Sequence, residues 1–296
     1  MSKENIPFFR RICRKFVYLT APIWSDKTFL RMYFWCNLGY KLNLKSPRTF
    51  NEKLNWLKIY NKHPEYSKLV DKKEAKEYVA SIVGDKYIIP TLAVYDKVED
   101  IDFEKLPKQF VLKCTHDSGS VVVCKDKSIL DKGAAIRKLK KGLRSNFFTI
   151  TREYPYKNVK PRIIAEQYME DETGELRDYK FFCFNGEPKY MLLVSGRQAG
   201  KKIFDYFDLN WNHLPVHDVG CPGAERLPAK PDNFEEMIFI AKKLSKGMTH
   251  VRVDLYNINC KIFFGELTFF DGSGLCVYDP REWDFKFGQF LKLPID

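Results

Sequence analysis

Apolar positions along the chain recur with two periods, and where the period changes the architecture changes. Between residues 46 and 60, Phe50, Leu54 and Leu57 fall on one helical face, and Thr49 with Glu52 has the spacing of a capping box, which predicts a helix. Asp71 and Glu74 repeat that signal ahead of a helix over 72–83, with Ala75, Tyr78, Val79, Ile82 and Val83 inward and Gly84 as its stop. Residues 87–95 then read as a strand. Gln109–Thr115 and Ser120–Lys125 read as two more, flanking a short polar turn, and a charged helix follows over about 129–145.

The second half is richer in strands. Arg162–Tyr168 and Tyr179–Phe184 are separated by a polar turn at 171–175, and Asn185-Gly186 is a strong hairpin signal leading into Lys189–Ser195. Residues 196–232 read as a polar loop and 233–246 as a helix. A hairpin pairs Val251–Asn257 with Lys261–Leu267 around a turn at 257–260, and a Gly/Ser loop at 271–274 precedes a last helix over 281–291. There is no internal repeat or low-complexity linker. Helices mixed with antiparallel hairpins predict an α+β protein of interlocked lobes.

The formal net charge of +12 raises the question of nucleic acid, but residues 1–53 alone carry eleven Lys/Arg against three Asp/Glu, and no nucleic-acid motif is present. The reading is no nucleic acid. Within that stretch Phe8, Phe9, Ile12, Phe16, Val17 and Tyr18 interleave with Arg10, Arg11, Arg14 and Lys15, a pattern that suits either a helix on an anionic membrane surface or a basic helix capping the protein's own core. No apolar run is long enough to span a bilayer and no signal peptide is visible, so a cytoplasmic protein is expected, peripheral at the inner membrane face if the helix binds lipid. The eight cysteines are scattered, without a Cys-x-x-Cys pair, and read as reduced. His213 and His217 lie four apart in a Trp/Asn/Pro-containing stretch without cysteine ligands nearby, which argues against a metal site.

Three constellations carry chemistry. Lys113 stands on a strand ahead of His116-Asp117-Ser118-Gly119-Ser120, a turn that either lays backbone N–H groups and a lysine on phosphate or is only a turn. Arg252 and Asp254 share one strand face, and Glu266 and Thr268 share another across the hairpin; the two carboxylates either bridge a cation or form an ordinary ion pair with Arg252. The stretch Ile163–Met169, an apolar strand ending in a carboxylate and a polar side chain, either offers edge backbone groups to an adenine ring or is simply a strand end.

In this order the pieces resemble the ATP-grasp superfamily, as does Leu69-Val70-Asp71-Lys72 with Lys76, Gly84 and Ile89-Pro90. A closer resemblance is to the TupA-like ATP-grasp family of teichuronopeptide and capsular polysaccharide biosynthesis. It is carried by Ser46-Pro-Arg-Thr-Phe-Asn-Glu-Lys-Leu, Phe110-Val-Leu-Lys-Cys, Lys160-Pro-Arg-Ile-Ile-Ala-Glu, Asp178-Tyr-Lys-Phe-Phe-Cys-Phe-Asn-Gly, Val251-Arg-Val-Asp-Leu-Tyr and Gly265-Glu-Leu-Thr-Phe. The resemblance implies an ATP-grasp fold in which an N-terminal lobe, a small lid and a C-terminal lobe enclose ATP between antiparallel sheets. The corresponding segments are a basic helical stretch at 1–45, the N-terminal lobe at 46–108, the lid at 109–165 and the C-terminal lobe at 166–296.

The same resemblance implies site roles. ATP is held by Lys113, His116, Ser118, Gly119, Ser120, Glu166, Gln167, Tyr168, Met169, Asp178 and Lys180; Mg²⁺ by Asp254 and Glu266, with Thr268 where many members have Asn; and Arg252 and Lys113 are the catalytic pair. Arg197, Ser273 and Gly274 are candidates for binding substrate, with Lys201 and Lys202 nearby. The implied reaction is a magnesium-dependent carboxylate–amine ligation through an acyl phosphate, joining an amine or amino acid to an acidic sugar or glycan precursor. A sugar kinase on the same fold, a glycosyltransferase and a non-catalytic scaffold are the alternatives.

Overall fold

The computed structural model describes residues 6–171, 174–196 and 200–294. Two helices open it, α1 (Phe8–Leu19) and α2 (Asp26–Leu38), followed by α3 (Phe50–Tyr60), α4 (Tyr66–Val70) and α5 (Glu74–Val83). The expected start signals form: Glu52 N–H donates to Thr49 Oγ1 at 3.1 Å while Glu52 Oε2 accepts from Thr49 N–H at 3.1 Å, and Asp71 Oδ1 accepts from the amides of Lys73 and Glu74. Next come β1 (Thr91–Tyr95), β2 (Phe110–Cys114), β3 (Val121–Cys124), α6 (Lys132–Leu143), α7 (Phe147–Thr151) and β4 (Ile163–Gln167). The remainder is β5 (Asp178–Phe184), β6 (Glu187–Ser195), β7 (Ile203–Asp208), β8 (His217–Asp218), α8 (Phe234–Ser245), β9 (His250–Ile258), β10 (Lys261–Thr268), β11 (Tyr278–Asp279) and α9 (Glu282–Phe290).

The strands form a small antiparallel sheet in the order β1-β4-β2-β3, a large antiparallel sheet in the order β10-β9-β5-β6-β7, and the short pair β8–β11. One face of the large sheet, including Phe181, Val251, Val253 and Leu255, is fully buried on the side of α5 and α8, while Phe182 and Phe184 on the other face meet Phe50 of α3. The small sheet packs its own core of Phe110, Leu112, Ile163 and Ala165 against Leu139 of α6.

Three expectations change. The strand expected over 87–95 starts at Thr91, because a 3₁₀ turn occupies Asp85–Tyr87 and Pro90 lacks the amide a ladder needs. The expected loop at 196–232 contains β7, whose alternation is hidden by Asp205, a buried carboxylate that accepts from the Ala224 amide. The lobe boundaries also differ in strand pairing: β1 lies within the stretch assigned to the N-terminal lobe yet pairs with β4 in the small sheet. Helices α3–α5 share one buried core with the large sheet instead of forming a lobe of their own.

Candidate active site

A cleft of about 730 Å³ opens between the two sheets. The small sheet contributes Val111 and Lys113 from β2, Ser118 and Gly119 from the following turn, and Glu166 and Gln167 from β4, which run on into Tyr168 and Met169. The large sheet contributes Asp178 and Lys180 from β5, Arg252 and Tyr256 from β9, and Gly265 and Glu266 from β10. Lys72 and Lys202 add two more ammonium groups. The lining thus combines apolar side chains, Ile89, Val111, Val123 and Met169 among them, with a dense array of cations.

On the small-sheet side Glu166 is the organising charge. Its Oε1 lies 2.5 Å from Lys76 Nζ and its Oε2 lies 2.5 Å from Lys113 Nζ. Burial pushes the Glu166 carboxyl up, but the two ammonium groups outweigh it and hold it below the usual carboxylate range. Lys76 is anchored in turn by the Ile89 carbonyl at 2.8 Å and the Thr91 hydroxyl at 3.1 Å. Lys72 donates from Nζ to the Asp117 carbonyl, so the turn after β2 is tied to the start of α5. Burial pushes the Lys72 ammonium down, countered first by Glu266. Gly119 supplies the turn's left-handed backbone, with a φ of 122° that other residues rarely adopt, and no atom lies within 4 Å of where its Cβ would be.

On the large-sheet side, register does the positioning. Asp254 of β9 is paired with Lys180 of β5 on one side and with Glu266 of β10 on the other. The β9–β10 ladder shifts between Phe264 and Glu266, leaving Gly265 as an extra residue. Ahead of this bulge Ile262 and Phe264 point into the core; after it Leu267 does, and Glu266 and Thr268 move to the cleft side.

Arg252 then gathers the carboxylates. Its Nε and Nη2 each donate to Asp254 at 2.7 Å, Nη2 also reaches Glu266 at 3.3 Å and the Thr268 hydroxyl at 3.2 Å, and Nη1 donates to Asp271. Lys180 Nζ donates to the Asp254 carboxylate and lies 3.4 Å from Asp178. Burial works to raise the Asp254 carboxyl, yet Arg252 and then Lys180 hold it down at about 2.

The donor set is hard oxygen: two carboxylates facing each other and a threonine hydroxyl. No group of three or more His, Cys, Asp or Glu is arranged around a metal position among the described residues. Mg²⁺ suits such a site, because it is commonly held by one or two carboxylates together with substrate phosphates. Asp254 already faces positive charge from Lys180 and Arg252, so a cation bound there exchanges with part of that contact.

Several candidates lie elsewhere. His116 is buried, and burial pushes its pKa down; it does not line the cleft. Ser120 turns its hydroxyl onto Asp117. Ser273 and Gly274 face α3, not the cleft: Lys58 Nζ donates to the Ser273 carbonyl and hydroxyl, and Asn55 donates to the Gly274 carbonyl. Arg197 lies outside the described residues. His213 and His217 approach different carboxylates, Asp205 and Asp279, and share no site. Sequence reasoning assigned no role to Asp271, the first residue of the Gly/Ser loop, or to Lys72 and Lys76, which it saw only as part of an Asp-Lys run.

Residues 52–292 match the TupA-like ATPgrasp family. The chain belongs to that family. Its paired antiparallel sheets with the cleft between them are the ATP-grasp fold. Similar solved structures include D-alanine–D-alanine ligase from Bacillus anthracis complexed with ATP, at 16% identity over 68% of this chain and 53% of that chain with a TM-score of 0.38. D-alanine–D-alanine ligase from Helicobacter pylori aligns at 15% identity over 83% of this chain and 70% of that chain, with a TM-score of 0.41. The ATP-grasp ligase PsnB complexed with minimal precursor, Mg and ADP aligns at 12% identity over 86% and 67%, with a TM-score of 0.37. The TupA-like chain spans about half the length of the first of these, 53%. No curated protein matches it.

Proposed function

We propose that this TupA-like ATPgrasp protein is a cytoplasmic, ATP-dependent carboxylate–amine ligase. The observation that carries the reading is the cleft itself, where Lys113, Lys180 and Arg252 from three strands and Lys72 from the turn ahead of α5 converge on one space beside Asp254 and Glu266. In this reading Lys72 and Lys113 hold phosphate oxygens, and Lys113 exchanges its contact with Glu166 for one with ATP. The apolar strip at Ile89, Val111 and Met169 takes the flat adenine. Mg²⁺, when bound at Asp254 and Glu266, supplies charge neutralisation for the transferring phosphoryl group. The substrate carboxylate attacks the terminal phosphoryl group of ATP, ADP leaves and an acyl phosphate forms; the amine then attacks its carbonyl, inorganic phosphate leaves and the amide nitrogen gives up a proton. Arg252, oriented by Asp254 and Asp271, stabilises negative charge developing on that carbonyl oxygen, a role worth about 10²–10³ in rate when such a donor is removed.

The substrates we assign are an acidic sugar of a surface polysaccharide precursor as acyl donor and an amino acid or other amine as acceptor. Family membership supports the sugar, and Lys202 at the cleft supports a negatively charged donor. The eight unpaired cysteines support the cytoplasm.

The test is ADP release from ATP and Mg²⁺ with a panel of uronic acids and amines, followed by mass analysis of the product. An amide product, with release dependent on both acid and amine, supports the ligase. A phosphorylated sugar without an amide identifies a kinase. Stabilisation by a nucleotide-sugar but not by ATP replaces both with a glycosyltransferase.

A further inference from the structure

We infer that the outward face of α1 docks the protein on an anionic lipid surface. An amphipathic helix in a globular protein normally turns its apolar stripe inward. Here the stripe faces away. Val17 is 1% exposed, whereas Phe8, Phe9, Ile12, Phe16 and Leu19 are 71%, 65%, 52%, 57% and 66% exposed. With 3.6 residues per turn, those five side chains gather on one side of the helix and Val17 lies on the opposite side. The packed side is fixed by polar contacts as well: Arg10 donates to the Trp35 carbonyl at 3.5 Å and Arg14 to Asn37 Oδ1 at 3.4 Å. Ile23, 76% exposed, lies in the turn that follows the helix. Capping the protein's own core accounts for Val17 and Cys13, and leaves the five exposed apolar side chains without a partner surface among the described residues of this chain.

Charge selects the occupant. Arg11 and Lys15, both exposed, border the apolar stripe on one side, and residues 6–45 carry eight Lys/Arg against one Asp/Glu. A second copy of the same face brings like charges together, whereas acidic headgroups above an acyl layer satisfy both the basic border and the apolar stripe. The platform is anchored: Arg152 donates to the carbonyls of Ala21 and Trp24, and Leu275, just after the Gly/Ser loop, packs in the same buried cluster as Val17 and Phe29. No helix among the described residues is long and apolar enough to cross a membrane, so the contact is with a lipid surface.

The experiment is co-sedimentation of the full chain with vesicles of phosphatidylcholine alone and of phosphatidylcholine mixed with phosphatidylglycerol in equal parts. Binding is expected only to the anionic vesicles, falling steeply with salt. Phe9→Ser with Phe16→Ser is expected to weaken it about tenfold or more per residue, and Arg11→Gln or Lys15→Gln about fivefold each. Both sets of variants should melt where the wild type melts, since the altered residues are exposed. Failure of the wild type to pellet with anionic vesicles overturns the inference, as does unchanged binding by the double Phe variant. Concentration-dependent dimerisation without vesicles that the same variant abolishes also overturns it, in favour of a second copy. None of these readouts depends on ligase activity, so failure here and failure of the ligase reading are separate outcomes.

Discussion

Glu266 stands directly across from Asp254 because Gly265 is an extra residue in β10. Without that bulge the alternation running through Ile262 and Phe264 would carry Glu266 into the apolar core and leave Gly265 opposite Asp254. The bulge therefore puts Glu266, and Thr268 with it, on the face that Asp254 already shares with Arg252.

This arrangement predicts a specific response to Lys180→Gln. Loss of the ammonium leaves Asp254 paired with Arg252 alone and costs about 1–3 kcal/mol of stability in the absence of divalent cation. Because Lys180 and a bound cation compete for one carboxylate, Mg²⁺ should stabilise the variant more than the wild type. Thermal melts with MgCl₂ and with EDTA measure this. Equal shifts in the two proteins would remove Asp254 from the metal site.

Arg252→Lys retains the charge but not the forked contact with Asp254 or the simultaneous reach to Asp271. The expected turnover is lower by about 10²–10³. Arg252→Ala is a different experiment, since it leaves Asp254 with Lys180 alone and Asp271 without a cationic partner, costs about 3–5 kcal/mol and mixes a folding defect into the kinetics. The Lys variant should remain folded by circular dichroism while its turnover falls. A Lys variant with wild-type turnover would assign Arg252 to structure alone.

Lys113→Met tests the small-sheet side. Glu166 keeps its contact with Lys76, so the fold should survive, while ATP loses a charge-assisted contact of about 1.5–3 kcal/mol. Nucleotide at about 100 times its dissociation constant stabilises the folded protein by about 2.7 kcal/mol. The variant should need at least tenfold more ATP for the same melting shift. An unchanged ATP titration would show that Lys113 serves Glu166 and not the nucleotide.

A pH dependence follows from His250, which is buried and donates Nδ1–H to the Cys183 carbonyl at 2.9 Å. Burial holds its pKa at about 3, below the 6.5 of a free imidazole. The unfolded chain therefore binds a proton that the folded chain refuses. Stability from this residue is fully present above pH 6.5 and drains as pH falls toward 3, by at most about 1.4 kcal/mol per pH unit. His250→Asn keeps a donor for the carbonyl and removes the titration. Denaturant midpoints measured from about pH 7 to about pH 4 should fall less steeply in the variant.

Much of this protein is local physics and was legible in its sequence. Thr49 with Glu52 and Asp71 with Glu74 start helices through bonds spanning a few residues, and Asn185-Gly186 turns a hairpin through its own backbone preferences. The lysine-turn unit at 113–120 and the Arg252–Asp254 pair share the same property, since neighbours on one strand face meet whatever the rest of the chain does. Other features depended on partners far away in sequence. Strand β7 was hidden by Asp205, whose burial is relieved by the Ala224 amide and by His213, both outside the strand. The pairing of β1 with β4 brings Thr91 to Glu166 and lets Lys76 close the same ion pair as Lys113. The inward turn of Ser273 toward Lys58, the contact between Arg252 and Asp271, and the outward face of α1 likewise depend on which surfaces the folded chain packs together. Composition and periodicity determined which segments are helices and strands and which residue types carry charge into the site. Tertiary structure decided which of those charges meet, because a buried charge takes its position from partners on other strands and helices.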